Sequence, residues 1–309
     1  MSTTISRPIR LRTSAFAGHE TFHLRQSWLS KGLSAIGTRS VDFDDAGSHH
    51  ELGIGINMLK SLAYWMQATG LARFTQVPKG QGRPFELTDI GKLVAVHDPY
   101  IEDIGTLWLI QRELASNKDL APLWYWVFNL LRTREFTDET VLQGYSRFIE
   151  EEGPRRISGE TVQRDFRCLK RTYAASSNKD RSSSREELLD CPLADLNLFK
   201  NSPVPGYYSL RVGAQTTIPL LIFGYSVLRY KEAYAEEQST VSSDDLRWAP
   251  GSPGRTFCLD SASTLELLEV LDTEMHLLRL TRSEGVSQVS FPTEQSAVSI
   301  LERYYQGSV

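Results

Sequence analysis

Residues 57–88 read NMLKSLAYWMQATGLARFTQVPKGQGRPFELT and carry the clearest structural pattern in the chain. Apolar residues in the first part recur at the three- and four-residue spacing of a buried helical face, namely Leu59, Leu62, Ala63 and Met66. Asn57 is the predicted N-cap of this helix, and Gly70 is predicted to end it. The opposite face carries Lys60, Tyr64 and Gln67. The pattern therefore predicts a helix that packs with one face and presents the other to solvent.

A hairpin pattern follows this helix. Residues 71–75 and 85–87 have the composition of strands, and the loop between them contains two glycines, Lys79 and Arg83. The order of elements over residues 44–93 predicts a winged helix, which places one helix in a DNA groove and uses the loop as a wing against phosphates. Winged helices also serve as dimerisation or docking modules, so an interface at Tyr64, including one in a homodimer, is the alternative.

The length and composition favour several small hydrophobic cores over a single large one. The chain has 309 residues, 40% of them hydrophobic, and a formal net charge of −4. We expect a mainly α (α+β) fold in three domains: an N-terminal arm plus winged helix (1–95), a helical domain with a basic helix-turn-helix (96–186), and an α+β domain with winged-helix order (187–309). Residues 236–254 are rich in Glu, Ser, Asp and Pro and are expected to be mobile.

Positive charge is concentrated in two parts of this acidic chain. Residues 1–39 hold six Lys and Arg, Arg25 among them, against one acid. Residues 155–185 hold nine against three. A helix predicted over residues 158–173 has three arginines on one face, namely Arg164, Arg167 and Arg171. Both parts predict local contacts with DNA phosphates, although solvated helix faces also accumulate basic residues.

Several classes of protein are disfavoured by what the sequence lacks. Three widely spaced cysteines argue against a disulfide framework and a zinc finger, and favour a reducing, cytoplasmic setting. The N-terminus has no apolar core of a signal peptide, and no apolar run approaches the ~20 residues of a membrane span. Walker, dinucleotide and G-x-S-x-G motifs are missing, so we expect no nucleotide cofactor.

Residues 19–23 read HETFH, which matches the H-E-x-x-H pattern of zinc proteases. In that pattern two histidines one helical turn apart bind the metal and the glutamate activates water. A second interpretation is a divalent metal site for phosphodiester chemistry, because four of the six histidines lie within residues 19–50 beside several acids. The third is structural, with His19 and Glu20 capping or buttressing the nearby helix.

Short motifs in the first 95 residues resemble a known bacterial family. They are FAGHETF at 16–22, LR at 24–25, WL at 28–29, LGIGINM at 52–58, YW at 64–65 and GL at 70–71. Together they resemble the SspB-like family, whose best-known member is the B component of the single-strand DNA phosphorothioation system. His23 stands where that family leads us to expect proline, which weakens the H-E-x-x-H interpretation.

This resemblance implies a DNA-nicking or DNA-delivering component of a bacterial modification and defence system. It implies action beside a cysteine desulfurase, an ATPase and an adenylating sulfur-transfer enzyme. On the GHETF motif, His19 and Glu20 are the candidate catalytic residues, with Mg²⁺ or Mn²⁺ as the expected cofactor.

The leading hypothesis is therefore binding and nicking of double-stranded DNA. The predicted DNA-binding residues are Arg25, Asn57, Lys60, Tyr64, Gln67, Lys79, Arg83, Arg164, Arg167 and Arg171. The alternatives are a non-catalytic DNA reader or transcriptional regulator, and a scaffold for the sulfur-transfer enzymes.

Overall fold

The computed structural model describes residues 16–38, 48–75, 84–153, 157–173, 191–283, 286–292 and 295–307. Within these ranges the protein is mainly helical and contains three small antiparallel sheets, which agrees with the expected α+β class. The predicted N-terminal arm and the wing residues Lys79 and Arg83 lie outside the described residues. No helix within the ranges given above is both long and apolar enough to cross a membrane.

The N-terminal part combines four helices with one hairpin. Its elements are α1 (Gln26–Thr38), α2 (Ser48–Leu52), α3 (Ile56–Ala68), β1 (Ala72–Phe74), β2 (Phe85–Leu87) and α4 (Asp89–His97). The two strands pair antiparallel, with Phe74 opposite Phe85. Helix α1 packs against α3, α4 and β2. The four apolar residues predicted for the packed face of α3 are all buried, as expected.

The junction between the hairpin and α4 depends on two small residues. The hydroxyl oxygen of Thr88 accepts a hydrogen bond from the Gly91 N–H at 3.0 Å and donates to the Gly70 carbonyl at 2.6 Å. Thr88 is therefore the N-cap of α4. A Cβ at Gly91 would lie 1.9 Å from the Leu71 carbonyl oxygen, so only glycine fits this crossing. Gly70 has φ +72° and ends α3, as predicted.

The start of α3 differs from the prediction. The helix begins at Ile56, and its N-cap is Gly55, which has extended backbone (φ −67°, ψ 157°) and makes no side-chain cap hydrogen bond. Asn57 lies in the first helical turn and is not the cap. Glycine is itself an acceptable N-cap, and the left-handed Gly53 (φ +62°) turns the chain into α3 within a few residues of α2.

The middle part is built on a buried central helix, α5 (Ile104–Ser116), followed by α6 (Pro122–Tyr125), a π-helical turn (Trp126–Leu130), α7 (Asp138–Glu152) and α8 (Gly159–Tyr173). Helix α5 ends at Ser116, and α6 begins at Pro122. A three-stranded antiparallel sheet in the order β3-β5-β4 joins β3 (Glu135–Thr137), β4 (Phe199–Asn201) and β5 (Tyr207–Leu210). A short 3-10 turn, Pro192–Leu196, precedes β4.

The C-terminal part of the chain packs against the N-terminal part. Its elements are α9 (Leu220–Tyr234), β6 (Thr240–Ser242), α10 (Ser243–Trp248), α11 (Pro253–Thr256), α12 (Ser261–Thr273), β7 (Arg279–Ser283), β8 (Val286–Ser290) and α13 (Ala297–Tyr305), with sheet order β6-β8-β7. Helix α13 packs on both α9 and α4. Buried apolar residues of all three predicted domains belong to one cluster, and the domain boundaries stay a prediction.

The expectation of a mobile segment over residues 236–254 is wrong. Strand β6 pairs with β8 in this segment, and the Ser242 side chain caps α10 by accepting a hydrogen bond from the Asp244 N–H. The segment is polar on average, but Val241 and Leu246 are fully buried and anchor it. Helix α9 begins at Leu220, directly after Pro219, and α12 covers 261–273.

Candidate nucleic-acid interface

The GHETF motif lies in a series of tight turns over residues 16–21 and not in a helix. Ala17, Glu20 and Thr21 adopt left-handed backbone, with φ values of 55°, 48° and 70°. Residues with a Cβ rarely adopt this conformation, so surrounding contacts must hold it. The zinc-protease interpretation of HETFH requires two histidines on successive turns of a helix, and it is therefore wrong.

A buried hydrogen-bond network connects this turn to α8, which is distant from the turn in the sequence. The His19 side chain is buried, and its Nε2 lies 2.9 Å from Oδ1 of Asp165. The same carboxylate oxygen accepts a hydrogen bond from the Ala17 N–H at 3.2 Å. The Thr21 N–H donates to Nδ1 of His19 at 3.1 Å. Because Nδ1 accepts, the ring proton is on Nε2, and His19 donates it to Asp165.

Three aromatic rings enclose the His19 ring. The Trp65 ring is stacked on it at a centroid distance of 6.4 Å, and the rings of Tyr64 and Trp124 meet it edge-on at 5.9 and 6.2 Å. The Tyr64 ring also sits against Gly18, where a Cβ would come within 2.6 Å of it. Glycine is therefore required before the histidine, because the aromatic wall approaches the backbone closely.

Helix α3 presents less of a polar face than its sequence predicts. Asn57 and Lys60 are exposed in its first half, and Gln67 is half-buried. The assignment of Tyr64 to the solvent face is wrong, because its side chain is buried and its hydroxyl donates to the Leu120 carbonyl at 3.1 Å. In the second half of α3, Tyr64 and Trp65 contact the GHETF turn, and Tyr64 also contacts the α5–α6 connection.

The enclosure of Tyr64 also determines its ionisation. Burial, together with the nearby Cys168 and Asp165, raises the pKa of its hydroxyl well above the ordinary value. The hydroxyl is therefore a neutral donor at any physiological pH, which suits a structural hydrogen bond and not contact with a nucleic acid.

Helix α8 has the two faces that the sequence predicts. Ser158 caps its start by accepting a hydrogen bond from the Thr161 N–H. Its buried side carries Phe166, Leu169 and Tyr173. Its exposed side carries three arginines that we call the arginine face, namely Arg164, Arg167 and Arg171. Within the described part of the chain, none of these three guanidinium groups is within ion-pair distance of a carboxylate.

The remaining basic residue of α8 is occupied. The Nζ atom of Lys170 lies 2.7 Å from Oδ1 of Asp138 and 2.9 Å from the Tyr208 hydroxyl, above the Phe166 ring. This contact attaches α8 to the start of α7 and to β5. The helix that carries the arginine face is therefore held by two side-chain contacts. Lys170 binds Asp138 and Tyr208, and Asp165 binds His19.

The other predicted site residues are less informative. Arg25 is half-buried, and its guanidinium carbon lies 4.8 Å from the Trp28 ring centroid. Glu20 is half-buried in the GHETF turn. Among the residues that the structure describes, no group of three His, Cys, Asp or Glu side chains could hold a metal ion. The catalytic assignment of His19 and Glu20 stays a prediction.

The sequence reasoning missed Asp165, which it counted only as one acid within a basic segment. A signal was present in its spacing. Asp165 falls between Val162 and Leu169 at the three- and four-residue intervals of the buried stripe. A single carboxylate in such a stripe predicts a buried partner, because an unpaired buried charge is costly.

The fold and the arginine face define a mainly helical α+β protein with an exposed cationic helix. Residues 16–305 match the family described as "Protein of unknown function (DUF4007)", and the chain belongs to that family. An SspB crystal structure is similar with 25% identity and a TM-score of 0.84, over 97% of this chain and 89% of that one. A magnesium ion-bound SspB crystal structure is similar with 26% identity and a TM-score of 0.83, over 95% and 88%.

These similarities confirm the SspB-like family that the short N-terminal motifs indicate. No curated protein matches the chain.

Proposed function

We propose that this protein binds double-stranded DNA through the arginine face, as a component of a bacterial phosphorothioation system. The observation that carries the proposal is the row of Arg164, Arg167 and Arg171, exposed on one side of α8 with no carboxylate partner in the described structure. Arginine binds phosphate oxygens with a planar fork of donors. The seven helical rises from the first arginine to the last span ~10 Å, enough for contacts along a phosphate backbone.

The choice of biological system rests on the family. The GHETF and LGIGINM motifs resemble the SspB-like family, and the solved SspB structures cover nearly the whole chain. On the same basis we propose the cysteine desulfurase, the ATPase and the adenylating sulfur-transfer enzyme of such a system as partners.

The N-terminal part supports the proposal as a second DNA contact. Helices α1 to α4 and the β1–β2 hairpin have the order of a winged helix. Asn57 and Lys60 are exposed on the first half of α3. Lys79 and Arg83 lie between β1 and β2 in the sequence, outside the described residues, where the sequence predicts the wing loop. We propose that this first half of α3 and the loop touch DNA, with Gln67 at the margin and Tyr64 as a packing residue.

His19 is proposed to position this surface. It is enclosed by aromatic rings and hydrogen-bonded at both ring nitrogens, and its partner Asp165 lies on the opposite side of α8 from the arginines. The GHETF turn therefore sets the rotation and tilt of α8, and with them the direction of the arginine face.

Fluorescence anisotropy with a labelled duplex tests the DNA-binding proposal. The R164A/R167A variant is expected to bind roughly 100-fold more weakly, because each of the two lost guanidinium contacts to phosphate contributes about 1.4 kcal/mol or more. Arg279→Ala is the matched control, since Arg279 is exposed on β7 without an ion-pair partner among the described residues. Equal affinities of the wild type, the control and R164A/R167A would contradict the proposal.

Strand nicking is a further part of the proposal and rests on the family alone. One of the similar SspB structures is magnesium ion-bound. The described residues of this chain provide no three-ligand group for such an ion, so no step through a metal is derived. Glu20 is the more accessible of the two candidate catalytic residues, because His19 is enclosed.

A non-catalytic DNA reader is the second candidate function, favoured by the enclosure of His19. Incubation of the protein with supercoiled plasmid and Mg²⁺ or Mn²⁺ distinguishes the two. Open-circle product that is lost in Glu20→Ala and kept in Glu160→Ala, an exposed acid on α8, supports a nickase. Duplex binding without open-circle product above the Glu20→Ala background supports the reader.

A further inference from the structure

A cavity of about 170 Å³ lies where the end of the π-helical turn, β5 and the α10–α12 segment meet. Its inner wall is apolar and includes Phe128, Leu131 and Val212. Three arginines from two distant parts of the chain line it as well, namely Arg132, Arg134 and Arg255. We call this site the arginine cavity. At ~30 Å³ for each water molecule, it holds the volume of about five waters, which suits a phosphate group.

The charge of the arginine cavity is positive. Arg132 and Arg134 are exposed and Arg255 is half-buried, and none of them is within ion-pair distance of a carboxylate among the described residues. The acid that Arg134 faces at longer range is Asp260, whose pKa is lowered mainly by the Ser263 backbone N–H and further by Arg134. An anion that enters the cavity therefore meets three guanidinium groups whose charge is not already neutralised.

The other polar groups of the cavity do not oppose an anion. Burial raises the pKa of the Cys258 thiol to about 12, so this side chain is neutral at physiological pH. Burial lowers the pKa of the Arg255 guanidinium, which means that the cavity disfavours the charged form of this side chain. A bound phosphate would offset that cost. The Nε atom of Arg255 donates to the Trp248 carbonyl at 3.2 Å, which fixes the direction of the side chain.

Trp248 stands at the rim of the arginine cavity with its side chain in solvent. It is 47% exposed, whereas the other five tryptophans are buried. The guanidinium groups of Arg247 and Arg255 lie over its ring at cation–π distance, with each guanidinium carbon 5.7 Å from the ring centroid. Exposed aromatic rings beside arginines are the usual platform for unpaired bases, because base stacking and phosphate contact occur together there.

We propose that the arginine cavity binds one unpaired nucleotide of a DNA strand. The phosphate enters among Arg132, Arg134 and Arg255, and the base stacks on the open part of the Trp248 indole. This inference rests on the proposed DNA-binding function and names a second form of the ligand, a single-stranded segment, at a site other than the arginine face. No base pair is read, so the site is expected to tolerate any sequence.

The two sites are connected through one small sheet. Arg134 directly precedes β3, and its carbonyl accepts a hydrogen bond from the Leu210 N–H of β5. Lys170 of α8 contacts Tyr208 of the same strand and Asp138 just after β3. The small sheet β3-β5-β4 therefore joins the helix that carries the arginine face to the lining of the arginine cavity.

Intrinsic tryptophan fluorescence tests the proposal directly, because Trp248 is the one exposed indole and all six tryptophans lie in the described structure. Titration of the full-length protein with unlabelled oligothymidylate is expected to quench the fluorescence with saturation. In Trp248→Leu the quenching should disappear. The affinity for labelled oligothymidylate should fall about 5- to 100-fold in this variant and less in Trp248→Phe, which keeps a ring to stack on.

The phosphate half of the proposal has its own variant. R132A/R134A changes two exposed side chains and is expected to flatten the dependence of log K on log salt by about 1.4, near 0.7 for each lost contact with a single strand. Arg279→Ala should leave this slope unchanged. R164A/R167A should lose duplex binding and keep the quenching by oligothymidylate. This variant therefore distinguishes a failure of the arginine-face proposal from a failure of the arginine-cavity proposal.

Three results would overturn the proposal. The first is oligothymidylate binding in Trp248→Leu that equals the wild type. The second is a salt slope of R132A/R134A that equals that of the Arg279→Ala control. The third is complete displacement of the oligonucleotide by inorganic phosphate at equal concentration, which would show a site for free phosphate only.

Discussion

Replacing Asp165 by alanine is expected to lower the free energy of unfolding by about 3–6 kcal/mol, because it removes the buried carboxylate that accepts two hydrogen bonds. The carboxylate is 3% exposed and accepts hydrogen bonds from His19 Nε2 at 2.9 Å and from the Ala17 N–H at 3.2 Å. A hydrogen bond to a charged group contributes about 1.5–3 kcal/mol, so two give about 3–6 kcal/mol. Asp165→Asn keeps a neutral acceptor and should cost about 1–3 kcal/mol.

Urea unfolding followed by circular dichroism measures these differences as shifts of the midpoint at an unchanged slope. Gln163→Ala is the matched control, because Gln163 is exposed on the same helix, and it should stay within about 0.5 kcal/mol of the wild type. An Asp165→Ala protein within about 1 kcal/mol of the wild type would refute the inference that this carboxylate holds the GHETF turn on α8.

Three further changes test the packing around this region. Gly91→Ala places a Cβ 1.9 Å from a backbone carbonyl oxygen beside β1, so it should prevent stable folding, measured as loss of the cooperative unfolding transition. Burial raises the pKa of Glu113, but Arg112 and Arg229 outweigh that effect and lower the pKa overall. The stability that ionised Glu113 contributes should therefore be complete above about pH 4.5 and be lost as the pH falls through the lowered pKa. Glu113→Gln should cost about 3–5 kcal/mol at neutral pH and reduce this pH dependence. Tyr64→Phe removes one hydroxyl donor and should cost about 1 kcal/mol by urea unfolding while leaving duplex affinity unchanged.

Local patterns in the sequence predicted the elements that depend on local physics. The buried stripe of α3, the Thr88 cap and the two faces of α8 follow from helical spacing and from the hydrogen-bonding capacity of a hydroxyl at a helix start. The antiparallel pairing of β7 with β8 likewise involves segments that are close together in the chain. Each of these features is determined by residues close together in the chain.

The features that sequence patterns did not predict depend on contacts between distant segments. Tyr64 has the position of a solvent-facing residue on α3, but the GHETF turn and the Leu120 carbonyl cover it. Asp165 has a buried role only because His19, 146 residues earlier, comes to lie beside it. The arginine cavity likewise combines Arg134 with Arg255, and no periodicity connects positions so far apart.

The salt dependence of duplex binding tests the central claim most directly. If Arg164, Arg167 and Arg171 each contact a phosphate, replacing all three by alanine removes about 0.9 from the slope of log K against log salt for each contact, or about 2.7 in total. We expect this flatter slope together with a wild-type unfolding midpoint, because all three side chains are exposed. An unchanged slope and an unchanged affinity in a folded triple variant would contradict it.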